Sequence, residues 1–127
     1  MKQLKEKTIE FLSSLDGNHE LLKGLHWSAT SHAQHILTDE IDGEILEFQD
    51  KIAECVMGIL DTKIGVGELK ALLPNAKTLD ALLKEMKKDV IDFKEFVGDS
   101  AEVSGLQNIL DDLMSSINKW NYLRTFN

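Results

Sequence analysis

One cysteine and one proline in 127 residues remove two common ways of organising a small chain. Cys55 has no partner for an internal disulfide, and neither Cys-x-x-Cys nor a Cys/His zinc spacing occurs. Neither staples nor structural zinc therefore hold the fold. With Pro74 the single proline and only eight glycines, long stretches are free to be helical. Aromatic residues make up 6%, so aliphatic side chains must fill most of the core. No apolar run approaches the roughly 20 residues that cross a bilayer. The opening Met1-Lys2-Gln3-Leu4-Lys5-Glu6-Lys7 lacks the apolar stretch of a signal peptide, and a cytoplasmic location is the expectation. Basic residues are outnumbered, 14 Lys and Arg against 22 Asp and Glu. The net charge of −8 opposes a general attraction for DNA.

Several catalytic patterns are missing as well. There is no Gly-x-Ser-x-Gly, no His-Glu-x-x-His and no Glu-x-x-His, which argues against a serine-hydrolase elbow, a zinc-protease helix and a di-iron centre inside one bundle. Gly65-Val66-Gly67 follows a helix and lacks the third glycine of a nucleotide loop.

What is present is a strong 3.6-residue period, and it outlines four helices. The first runs from about Lys2 to Trp27 on Leu4, Phe11, Leu15, Leu22 and Leu25, its phase holding through Asp16-Gly17-Asn18. Ser31 with Gln34 three residues on is a capping pattern that starts the second helix near His32. That helix extends to about Leu60, and its apolar side carries Ile41, Ile45, Phe48, Ile52, Cys55 and Val56. Cys55 reads there as a small core hydrophobe. Asp61 to Lys77 is irregular, with one short helix expected around Glu68–Leu73. Thr78 caps a third helix that Gly98 ends, and Asp99-Ser100 caps a fourth whose stripe runs from Val103 to Trp120. The expectation is one all-α domain over residues 1–127, a four-helix bundle with a short extra helix or loop between the second and third helices.

Opposite the apolar side of the second helix lie His35, Asp39, Asp50 and Glu54. At about 100° per residue they fall within about 100° of one another, with His32 and Asp42 on or beside the same face. Imidazole and carboxylate donors together suit iron, manganese or zinc. About 16 Å of helix axis separates Asp39 from Asp50, so the pairs His35–Asp39 and Asp50–Glu54 of one chain cannot share an ion. They form separate sites, or two antiparallel copies bring one chain's first pair against the other's second.

The spacing His-x(3)-Asp-x(10)-Asp-x(3)-Glu, present as His35, Asp39, Asp50 and Glu54, resembles the ferroxidase motif of the Dps family of miniferritins. Leu25-His26-Trp27, Ile52-Ala53-Glu54 and the terminal Lys119-Trp120-Asn121-Tyr122-Leu123-Arg124 resemble further parts of that family, so that the likeness covers nearly the whole chain. The resemblance implies a ferritin-like bundle, self-association into a dimer-based dodecameric shell, and di-iron sites at two-fold interfaces. It implies His26, His35 and Asp39 from one subunit and Asp50 and Glu54 from its neighbour as metal ligands and catalytic residues. Fe(II) would be oxidised by peroxide or dioxygen and stored as Fe(III), protecting against oxidative stress. The joint between His26 and His35 is shorter than is usual in that family, which leaves two alternatives: His32 in place of His26, or a site with one imidazole fewer. It also keeps open a second reading, a non-catalytic helical assembly module. DNA is not an expected partner.

Overall fold

A computed structural model describes residues 2–65 and 67–126, so that Val66 of the Gly-x-Gly lies outside the described residues. Four long helices carry the chain: α1 Lys2–Trp27, α2 His32–Leu60, α3 Leu79–Val97 and α4 Ser104–Leu123. Their limits follow from local chemistry. The Ser31 hydroxyl accepts the Gln34 N–H at 3.1 Å and starts α2, and Thr78 accepts the Ala81 N–H at 3.2 Å to start α3. At the end of α3, Gly98 has φ 77°, a left-handed conformation suited to glycine. Gln107 then donates from its amide to the carbonyls of Lys94 and Gly98, at 2.9 and 2.7 Å. That clasp satisfies the open end of α3 and closes the α3–α4 hairpin.

Contacts between the helices give their directions. α1 meets α3 through the stacked rings of Phe11 and Phe93 and with Lys7 over Phe96, so these two helices run antiparallel. The start of α2 lies beside the end of α4, Ser31 and Gln34 sharing a cleft with Arg124, so these two helices are antiparallel as well, joined by Lys119–Glu40 and a hydrogen bond from the Trp120 indole to Glu44 at 3.0 Å. α2 and α3 consequently run the same way, and the long connection between them must return along the bundle. The apolar stripes fill the space between the helices. Leu12, Leu22, Ile41, Ile45, Leu106 and Trp120 are fully buried, each large aliphatic side chain contributing about 1.5–3 kcal/mol relative to exposure. Phe48 and Cys55 are only partly buried at the edge of this core. Burial pushes the Cys55 thiol above its ordinary pKa, which fits a structural rather than nucleophilic cysteine.

The return connection differs from the sequence expectation. No helix forms around Glu68–Leu73. Glu68 instead folds its carboxylate back onto the Gly65 N–H at 2.5 Å and pairs with Lys5 at 3.3 Å. The following segment lies across α1, where Lys70 N–H donates to the Ser13 hydroxyl at 3.2 Å and Leu72 N–H to the Ser13 carbonyl at 3.0 Å. Pro74 also disfavours helix in the residue before it. The expected Asp99–Ser100 cap is displaced too. Ser100 makes no side-chain capping bond, and a single tight turn, Ala101–Val103, precedes α4. Among the described residues no helix is long and apolar enough to cross a membrane.

Gly17 explains how the return segment approaches α1 so closely. A Cβ at this position would lie 1.8 Å from the Leu72 carbonyl oxygen and 2.9 Å from the Leu73 nitrogen. Because both are backbone atoms, the crossing would have to move. Gly17→Ala is expected to cost about 1–3 kcal/mol. Gly24→Ala, where nothing lies within 4 Å of the added carbon, should gain about 0.5–1 kcal/mol. Urea denaturation of the two variants checks this, and equal midpoints would contradict the close crossing.

Candidate functional site

The α1–α2 hairpin carries three polar rungs along its seam. Gln49 donates its amide to the Leu12 carbonyl at 3.0 Å and to Asp16 at 2.6 Å. His19 Nδ1 meets the Asp42 carboxylate at 2.5 Å. His26 and His35 close the series at the hairpin's open end. From Leu12 to His19 to His26 the chain advances seven residues each time, while from Gln49 to Asp42 to His35 it falls by seven. Two helical turns per rung keep every contact on the same seam.

The last rung is reciprocal. His26 Nδ1 donates to the His35 carbonyl at 2.7 Å, and His35 Nδ1 donates to the His26 carbonyl at 3.1 Å. Thr38, whose hydroxyl donates to the Gln34 carbonyl at 2.9 Å, stands 3.3 Å from the same His26 nitrogen. With both Nδ1 atoms protonated towards carbonyls, the neutral rings carry their lone pairs on Nε2. Neither Nε2 has a hydrogen-bond partner among the described residues. A carbonyl behind Nδ1 is the arrangement that orients metal-ligating histidines. The two rings are stacked, their centroids 3.8 Å apart and their planes 20° from parallel. Imidazole lone pairs lie in the ring plane, so rings held this way cannot both point at one ion. Each could at most serve an ion of its own.

The carboxylates of the sequence pattern lie apart from this pair. Asp39, one turn after His35, is exposed, as are Asp50 and Glu54 farther along α2. Among the described residues no group of three His, Cys, Asp or Glu side chains could hold a metal ion within one chain. The structure thus brings His26 to His35 and leaves Asp50 and Glu54 elsewhere on the outer face. His32 is exposed and takes no part in the stacked pair. Asp42, expected beside the metal face, turns into the seam against His19. The His19 contact is the one that sequence reasoning missed. Its signal was the seven-residue spacing of His19 with His26, matched by that of His35 with Asp42.

The same outer face of α2 is not purely polar. Ile36 is 51% exposed and Leu46 41%, and Trp27, beside the histidine pair in sequence, is 76% exposed. Asp50 borders a cleft of about 360 Å³ whose walls include Leu46, Ala53, Met57 and Ile64.

A family profile described as Family of unknown function (DUF5856) matches residues 26–123, from the last turn of α1 to the end of α4. The chain belongs to this family. No curated protein and no solved structure matches it.

The reciprocal bonds specify a tautomer. Long-range proton–nitrogen NMR spectra at mildly alkaline pH are expected to show His26 and His35 in the Nδ1–H form. An Nε2–H signature for either ring would contradict the reciprocal contact.

Proposed function

We propose that this member of the DUF5856 family is a ferritin-like, iron-oxidising protein of the miniferritin type, with di-iron sites completed between two copies of the chain. The observation that carries this reading is the His26–His35 pair, with both Nδ1 atoms tied to carbonyls and neither Nε2 bonded to any of the described residues. The up-down-down-up order of the helices, with one long return connection, supports the ferritin-like part of the reading.

Antiparallel pairing through α2 makes the half-sites complementary. If Asp39 of one copy lies opposite Asp50 of the second, His35 falls opposite Glu54 and Ile36 opposite Ala53. Gly43 then faces Leu46, near the two-fold axis. Glycine within a helix is costly relative to alanine by about 0.5–1 kcal/mol, and nothing in the same chain lies within 4 Å of a Cβ at Gly43. The missing side chain at Gly43 leaves room there for a second helix to approach. Each two-fold contact creates two equivalent sites.

In such a site the donor set suits Fe(II), the substrate. His26 and His35 would each offer Nε2 to a separate ion, Asp39 would lie beside His35, and Asp50 and Glu54 of the second copy would close the other side. On the resemblance, Glu54 would be the bridging carboxylate. Two Fe(II) ions give two electrons to peroxide, which takes up two protons and leaves as two waters, and dioxygen is the other candidate oxidant. The Fe(III) formed would pass into the interior of a closed shell, on the resemblance a dodecamer, for storage in a cytoplasmic setting. The net charge of −8 favours cations over DNA as partners.

A second reading has its own observation. The stacked, carbonyl-bound rings of His26 and His35 also serve as a clasp joining the end of α1 to the start of α2. On that reading the protein is a non-catalytic helical assembly module.

Aerobic Fe(II) oxidation separates the two. Combined Asp50→Ala/Glu54→Ala substitution is expected to slow oxidation about tenfold or more, and an unchanged rate would sink the ferroxidase reading. Refolded mixtures of His35→Ala and Glu54→Ala chains give a further test. If sites are shared between copies, half of the chain pairs are mixed and each mixed pair keeps one intact site, restoring about a quarter of wild-type activity. Failure to recover above either variant alone would place the sites within single chains.

A further inference from the structure

We propose that the cleft between α1 and α3, remote from the histidine pair, binds a linear aliphatic polyamine, with its ammonium groups on carboxylates of α3 and its methylenes against phenylalanine rings. The cleft holds about 190 Å³, with Phe11, Phe93 and Phe96 among its walls. Phe11 and Phe93 are buried and stacked with centroids 4.7 Å apart, and Phe96 is 43% exposed. At Ser14 and Asp89 it adjoins a second cleft of about 200 Å³ that Glu85 borders. Together they follow α1 from Lys7 to Asn18, a length of about 16 Å.

Three carboxylates of α3 face this groove: Glu85, Asp89 and Asp92. Their spacings of four and three residues place neighbours about 5–6 Å apart, comparable to the nitrogen-to-nitrogen span of a propyl or butyl linker. Glu85 accepts the Asn75 N–H at 3.2 Å, and Asp92 pairs with Lys88 at 2.7 Å. Asp89, between them, is half-buried and makes no hydrogen bond or ion pair among the described residues. Burial first, then the nearby Glu85 and Asp92, raise its carboxyl above the ordinary range.

The chain itself already places one ammonium at the mouth of the groove. Lys7 Nζ lies 5.9 Å from the centre of the Phe96 ring and 3.8 Å from Glu10. An alkylammonium over an aromatic face beside a carboxylate is what a polyamine end would reproduce. The aromatic floor also separates this cleft from a bare acidic surface, because a hydrated metal ion gains nothing from phenylalanine.

Titration calorimetry of the intact protein with spermidine at constant ionic strength tests the proposal. Saturable binding is expected. Asp89→Asn should weaken it about tenfold while keeping or raising the urea midpoint, since a carboxyl whose pKa is raised on folding opposes folding when ionised. Phe96→Ala should weaken it as well. Lys7→Gln, which removes the internal competitor, should tighten binding, whereas Lys119→Gln on the α2–α4 side should not. His35→Ala should bind spermidine as the parent does, so the outcome is independent of the iron reading. Unchanged affinity in Asp89→Asn, or displacement of spermidine by magnesium at equal charge concentration, would overturn the site and leave only an acidic surface.

Discussion

The register between α1 and α2 is the constraint on which the other features depend. It is set by the rungs Leu12–Gln49, His19–Asp42 and His26–His35, spaced two helical turns apart. Apolar packing alone permits neighbouring registers of similar energy, because one leucine can replace another against a smooth seam. A carboxylate facing an imidazole has no such freedom, and sliding α2 by one turn would leave Asp42 and His19 partly buried without each other. Retaining polar groups at a packed helical seam is best attested as a way of fixing register. Here the register decides which residues of α2 look inward to α1 and which form the free outer face. It also decides that two histidines nine residues apart meet at the end of the hairpin.

Much of the architecture could be read from periodicity. The stripes of α3 and α4 describe faces that are buried residue by residue, from Leu79 to Phe93 and from Val103 to Trp120. The continuity of α1 through Asp16-Gly17-Asn18 was also legible, because the phase of Leu15 and Leu22 carries across it. What could not be read was the reason for Gly17. Its missing side chain makes room for a segment more than fifty residues later, and a local pattern contains no record of such a crossing. The absent helix at Glu68–Leu73 has the same origin. That segment finds its hydrogen-bond partners on Ser13 of α1 and not within itself, so long-range contact overrides local propensity.

Legibility at the candidate site was divided in a similar way. Helical geometry is enough to place His35, Asp39, Asp50 and Glu54 on one side of α2, and all four are exposed there. His26 lies on another helix across a short joint, and only the fold could show it stacked on His35. Asp42 was read as a neighbour of that face because angle alone cannot tell a carboxylate facing solvent from one facing α1. Position on a helical wheel is thus informative about faces and silent about what each face meets.

The return connection has a consequence for how the molecule assembles. Each hairpin, α1–α2 and α3–α4, closes over a short joint, so its ends meet at little entropic cost and its contacts are local. The segment from Thr62 to Lys77 must instead lay its backbone on Ser13, 57 residues away from Lys70 in the chain. Such contacts are favourable only after α1 already exists as a platform. Contact order thus sets the strap apart from the two hairpins: its hydrogen bonds to Ser13 are the part of this fold that local sequence neighbours cannot supply.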